Sequence, residues 1–498
     1  IGTAGGELKD CTNTGAVSNA CALPTEGKYL DLGGIVGYNN GSSPLTNCSN
    51  SGNVINTGNS AGYVCEGGIS GENDAAMTEC HNTGNISNSG CTANDYPTCL
   101  GGVTGLTYSD NLTSCSSSVG EVLNTSACTT VRTGGVAGYI NATEAVTFDK
   151  CTNSSPVTVE NECESSVSEH IITGGIVGRS LAPVTYNECQ NDGDITINMD
   201  GAANEGGVRV GGIFGDSKTY DNNCTKCVNN ADVKLNLKYE DGTVAHNAYY
   251  AAGIAGMVDQ SSADGHNGGV IEDCTNTGSI EIESNRGCAA GIIASMIGGE
   301  VLDCDNTGNI YFCYVKEYQV FSATGGIVAN GWGAAKRIDG CTNSGKVYLV
   351  TKTGNLKPAG SVSGGIIGWA ENDIVITDCE NTGNVICENH TNTKYTGGMA
   401  GGIIGYKDSK STDSGNINRG SVTSLARKNQ NGVAGGVVGA LHYGTIEACY
   451  NYGAIEAGET NSAGDETNSY WSNGRAGSIV GFYGSSSSTK QHYYQTCE

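Results

Sequence analysis

Hydrolysis of a glycosidic bond needs two carboxylates facing one another across the sugar, so acids at regular places are the first chemistry to seek. The chain offers Asp194, Glu272, Asp273, Asp303 and Asp378, scattered among strand-like segments. Asp273, Asp303 and Asp378 each stand directly before a cysteine, a regularity that reads as decoration of one face. The histidines His81, His170, His246, His266, His390, His442 and His492 share no spacing. Cys224 and Cys227 form a C-x-x-C pair, but no second pair or suitably spaced histidine follows to complete a zinc site. No H-E-x-x-H, nucleophile elbow, phosphate loop or EF-hand loop occurs. The sequence therefore predicts no catalytic residue, metal or cofactor. Rings remain: Tyr38, Tyr139, Trp369, Tyr406 and Phe482 each directly follow a recurring Gly-Gly-Ile-x-Gly phrase, where they either cover a corner of the fold or meet a sugar.

Composition narrows the classes. With 51 acidic against 25 basic residues the net charge is -26, which disfavours a phosphate backbone and so a nucleic-acid partner. No run approaches the roughly 18 apolar residues that span a bilayer, so no membrane insertion is expected. The 77 glycines come with only 6 prolines and 37% hydrophobic residues, which excludes collagen and argues for a folded chain.

What must position any such residues is a repeat. "GGIVGYNNGSSPLTNCSNSGNV" from Gly33 returns as "GGISGENDAAMTECHNTGNI" from Gly67 and "GGIIGWAENDIVITDCENTGNV" from Gly364. Cysteine recurs at Cys11, Cys48, Cys80, Cys115, Cys151, Cys189, Cys227, Cys274, Cys304, Cys341, Cys379, Cys449 and Cys497, with Asn416 in the one vacant place. Two residues later stands asparagine, as at Asn13, Asn50, Asn82, Asn153, Asn276, Asn306, Asn343 and Asn381, with Ser117 the exception. A glycine and a Val or Ile follow, which predicts a sharp bend at the asparagine and a resumed strand. Helix caps and a 3.6-residue period are missing.

Each unit supplies three short strands, around "GGIVG", "PLTNC" and "GNVIN", and none can bury its apolar side alone. Stacked units would pair coil on coil, with asparagines bonded along the stack. The expectation is all-β: one elongated parallel β-solenoid over residues 1–498, of about thirteen coils of roughly 36 residues each, with variable loop insertions. The row cysteines are then small buried hydrophobes, inward and reduced. Of the others, Cys65, Cys91 and Cys99 are candidates for a disulfide, with Cys99 able to pair with either of the other two. Sequons at Asn47, Asn85, Asn111, Asn124, Asn141, Asn153, Asn223 and Asn389 permit glycosylation.

The units resemble GLUG-motif repeats, most nearly in "GGVVGALHYGTIEACYNYGAI" from Gly435 to Ile455. That resemblance covers nearly the whole chain and implies an extracellular or cell-surface, adhesin-like protein; it carries no catalytic residues. The function expected is a structural or adhesive solenoid, a spacer or fibre subunit, with a carbohydrate-binding or polysaccharide-degrading module as the alternative. Surface glycans are the expected external partners. The chain opens and closes part-way through a coil, so copies of itself meeting head to tail in a filament, or neighbouring repeats of a longer chain, are expected at its ends.

Overall fold

Glycine pairs, left-handed residues and asparagines divide each repeat at fixed places, and the computed structural model shows what each division does. It describes residues 1–22, 28–41, 43–60, 62–91, 96–108, 111–161, 170–200, 207–218, 222–238, 249–259, 269–284, 286–314, 322–351, 361–390, 398–427, 432–460 and 475–483. All elements among them are β-strands. Contacts separate two compact units, one of Ile1–Ala248 with Gly253–Asp259, the other of Tyr249–Ala252 with Gln260–Glu498. Within each, successive coils pair in parallel and in register, so each is a parallel β-solenoid.

One coil of the first unit shows the plan: Tyr63–Gly67, Ser70–Asn73, Met77–Thr78, His81–Asn82 and Ile86–Asn88. These are five strands where the sequence predicts three. The paired glycines make a corner, as their fixed period leads one to expect, and the corner divides the single strand expected around the phrase into two. A second corner falls at the residue before the row cysteine, which adopts left-handed φ: 52° at Glu79, 51° at Ser114, 52° at Lys150, 54° at Asp273, 49° at Asp303 and 51° at Asp378. Gly340 and Gly415 take the same place in two other coils. The sequence puts the left-handed bend at the asparagine instead. There the side chain does the work, because Asn82 accepts from Gly84 N–H and donates back to its carbonyl, closing a local turn without a positive φ. In the second unit the two strands between the Gly-Gly corner and the cysteine often fuse, as in Ile293–Leu302, Ile404–Ser414 and Val438–Glu447.

Inside the coils each row holds one type of side chain. Val54, Ile86, Val122, Val157, Ile195 and Val233 stack in register and are buried. Burial of each such side chain is worth about 1.5–3 kcal/mol, and no single coil could gain it alone. The row cysteines Cys48, Cys80, Cys115, Cys151, Cys189, Cys227, Cys274, Cys304, Cys341, Cys379 and Cys449 are buried and reduced, with Cys11 half-exposed; Cys497 lies outside the described residues. Their thiols donate to carbonyls of the preceding coil, Cys151 to Leu112 at 3.3 Å and Cys189 to Phe148 at 3.3 Å. Burial pushes the Cys151 and Cys304 thiols up, so they stay protonated.

The asparagines form a hydrogen-bonded ladder: Asn13 to Asn50 to Asn82, then Asn153 to Asn191 to Asn229, and in the second unit Asn276, Asn306, Asn343, Asn381, Asn418 and Asn451, with each of these links 2.7–2.9 Å. Ser117 interrupts the first run and bonds instead to Ser155. A second, shorter ladder joins Asn19, Asn56 and Asn88.

Candidate functional site

Alternation along a strand sends the residue two before each Gly-Gly pair away from the core. In the first unit this gives the row Asp31, Cys65, Cys99, Arg132, paired coil to coil. Across the corner, the residue directly after each G-G-x-x-G gives a facing row: Tyr38, Glu72, Leu106, Tyr139, Arg179. Between these rows Cys65, Cys99 and Leu106 pack together beneath Tyr108 and Tyr139. Beside them lies a cavity of about 240 Å³ lined by Tyr29, Tyr63, Pro97, Leu106, Tyr108, Thr130, Arg132, Tyr139, Asn141 and Arg179.

The cavity is aromatic and cationic. Tyr29 stacks on Tyr63 with centroids 4.6 Å apart and planes within 5°, and Tyr96 tilts against Tyr63. Tyr29 is 44% exposed, which leaves ring surface for a visitor. Arg132 is fixed by bonds to the Val131 and His170 carbonyls, at 2.8 and 3.2 Å. Arg179 lies 3.6 Å from Asp216, which Arg209 also contacts at 2.5 Å. One buried carboxylate is thus shared by two guanidiniums, and among the described residues no carboxylate lines the cavity itself. In a chain of net charge -26 this is a local reversal of sign.

Acids gather at the other end of the corner. Single donor atoms of Asp31, Cys65 and Glu72 lie within 4.8 Å of one another. Burial pushes the Asp31 carboxyl up to about 6, and burial with the neighbouring Asp31 and Asp74 charges pushes Glu72 up to about 7. Tyr38 donates to Asp74 at 3.1 Å. Cys65 is fully buried, and its thiol is pushed up by the adjacent Cys99 and by burial.

The residues expected from sequence fare differently. Tyr38 and Tyr139 stand on the facing row in the first unit; Trp369, Tyr406 and Phe482 hold that row's place in the second, where Trp369 meets Tyr406 at 4.5 Å. Asp194, Glu272, Asp273, Asp303 and Asp378 do not converge; three occupy left-handed corners. Of the disulfide candidates, Cys91 bonds to Cys128, while Cys65 and Cys99 are reduced. The reason is placement: Cys91 ends a strand row whose next coil carries Cys128, whereas Cys99 belongs to the row beside the Gly-Gly corner. Among the sequons, Asn47, Asn85, Asn111, Asn141 and Asn223 are exposed, but Asn124, Asn153 and Asn389 are buried. Asn153 spends its amide on Ser155 and Asn191, so a glycan there would break the ladder. Cys224, in the strand Asn223–Thr225, and Cys227, just past that strand's end, are both buried and reduced.

Sequence reading missed Asp31, Glu72, Tyr29, Tyr63, Arg132 and Arg179 as members of one site. Their shared signal is distance from Gly-Gly, two or four residues before it or five after its first glycine. Comparisons with family models, curated proteins and solved structures give no match for this chain.

Proposed function

We propose that the protein is an extracellular adhesive β-solenoid, as its likeness to GLUG repeats suggests, and that the corner cavity of the first unit binds a saccharide bearing a carboxylate. The observation that carries the reading is the stacked Tyr29–Tyr63 pair beside Arg132 and Arg179 in one cavity. Aromatic rings hold the apolar face of a sugar, and arginine forks pair with its carboxylate. The ladder and stacked core make the scaffold rigid, which suits a binding surface whose geometry must hold without ligand.

A glycan array, with a reducing-sugar assay on any glycan bound, tests this. Carboxylated glycans should be retained over their neutral counterparts, and Tyr29→Ala, an exposed position, should weaken binding at least tenfold with an unchanged circular-dichroism spectrum. Indifference to the carboxylate, or to Tyr29→Ala, would overturn the reading. Release of reducing ends by the pure protein would replace it with polysaccharide cleavage.

A further inference from the structure

The acidic end of the same corner has a chemistry the saccharide reading does not use. Asp31 and Cys65 are direct neighbours on adjacent strands, Cys99 follows Cys65 on the next, and Glu72 reaches the group from beyond the glycine corner. The four residues come from three successive coils and share no sequence motif. Yet their geometry is specific: one thiol and two carboxylates present oxygen and sulfur atoms within 4.8 Å of one another.

Two observations point to room for a ligand in the group. The Asp31 Oδ1 atom is buried without a hydrogen-bond partner. The Cys65 thiol, fully buried, faces the Asp31 carboxylate and the Cys99 thiol instead of the backbone carbonyls that occupy row cysteines such as Cys151 and Cys189. An orphan carboxylate oxygen, a second carboxylate and a buried thiol converge beside Leu106. Buried acids without a countercharge are costly, and a cation would offset that cost.

We propose that Asp31, Cys65 and Glu72 bind a zinc-class divalent cation. The donor set selects the metal: thiolate sulfur disfavours magnesium and calcium, which take all-oxygen shells, and favours a borderline ion. A tetrahedral zinc with bonds of about 2.0–2.3 Å sets its donors about 3.5 Å apart, so the group need only close by roughly 1 Å. Binding displaces the thiol proton of Cys65 and any proton held between Asp31 and Glu72, which leave to solvent as the metal–sulfur and metal–oxygen bonds form. The metal would join two successive coils and so serve as a staple at this end of the unit. The site stands independently of saccharide binding.

Cobalt(II), a visible surrogate for zinc, tests the assignment on the full chain, reduced and stripped with a chelator. One equivalent should give tetrahedral d–d bands and a near-ultraviolet thiolate-to-cobalt band, both bleached by added zinc. Cys65→Ser should remove the thiolate band, Glu72→Gln should weaken binding at least tenfold, and Cys227→Ser, in the buried row, should change neither. Absence of the thiolate band in the native chain, or its persistence in Cys65→Ser, would overturn the proposal. Should Cys65→Ser fail to fold, Asp31→Asn with Glu72→Gln provides the same decision through loss of stoichiometric binding.

Discussion

The Cβ that Gly326 lacks would stand 2.4 Å from Cγ of Asn343 and 2.0 Å from the Gly365 carbonyl oxygen. The second glycine of the Gly-Gly corner and the ladder asparagine of the same coil therefore occupy one space between them. Gly365 with Asn381 and Gly402 with Asn418 repeat the relation. This is why glycine pairs and asparagines keep the same period in the sequence: each permits the other.

Gly326→Ala should consequently destabilise the second unit by more than about 3 kcal/mol, since backbone and ladder must both shift. Asn343→Ala should cost about 2–4 kcal/mol, because it leaves the Asn306 amide and the Asn381 oxygen to find new partners in a dry interior. Urea unfolding measures both. A Gly326→Ala variant of native stability would show that the corner is soft.

The left-handed corner before each cysteine makes an opposite prediction. Ala448 has φ 46° and is exposed, so its Cβ adds strain with no contact of note. Ala448→Gly should stabilise by up to about 1 kcal/mol, strain relief outweighing the entropy of a freer unfolded chain. The same urea assay checks the sign, and a loss of stability would mean that the alanine methyl packs usefully.

Lys407 Nζ lies 2.6 Å from Asp413 Oδ2 with neither side chain exposed. The lysine also donates to Ser411 Oγ at 2.8 Å, and Asp413 Oδ1 accepts the Ile376 N–H at 3.0 Å. Lys407→Met alone should cost about 3–5 kcal/mol by stranding a buried carboxylate, whereas Lys407→Met with Asp413→Asn should recover most of that. A double-mutant cycle reads the coupling directly; additive losses would show that the pair does not act as a unit.

Much of the fold was legible because a repeat declares its own period. The rows of Cys48, Asn50 and Val54 could be written down from sequence, and stacking them required only that β-branched residues seek burial. The count of strands per coil was not legible. Glu79, Ser114 and Lys150 adopt φ near 50° although nothing in those residue types demands it, so the corner they make is imposed by the coil and not by local propensity. The site was less visible still. Arg132, Cys65 and Asp31 share a row yet not a residue type, and only the register of the strands makes them neighbours.

That register gives the last prediction, on pH. Asp31 is pushed from an ordinary 3.8 to about 6, and Glu72 from 4.5 to about 7, chiefly by burial. Both are acids whose folded-state values are raised, so their contribution to stability is complete below the unfolded values and lost as pH climbs through the folded ones, between about pH 4 and 7. The groups around them are Cys65, Cys99, Asp74, Tyr29, Tyr38 and Tyr108, of which Asp74 is itself raised by burial and titrates in the same sense. Glu66, buried on the inward side between Leu32 and Leu100 with neither oxygen bonded, is also raised well above its ordinary value by burial. Absolute stability thus mixes several acids, and the informative quantity is the difference between native chain and variant. Metal-free native protein should show weaker hydrogen-exchange protection in strands Tyr63–Gly67 and Ser70–Asn73 at about pH 8 than at about pH 5, once rates are corrected for intrinsic exchange. Asp31→Asn with Glu72→Gln should flatten that difference, because neutral amides cannot ionise into mutual repulsion. A pH dependence unchanged in the double variant would place its origin elsewhere, at Glu66 first.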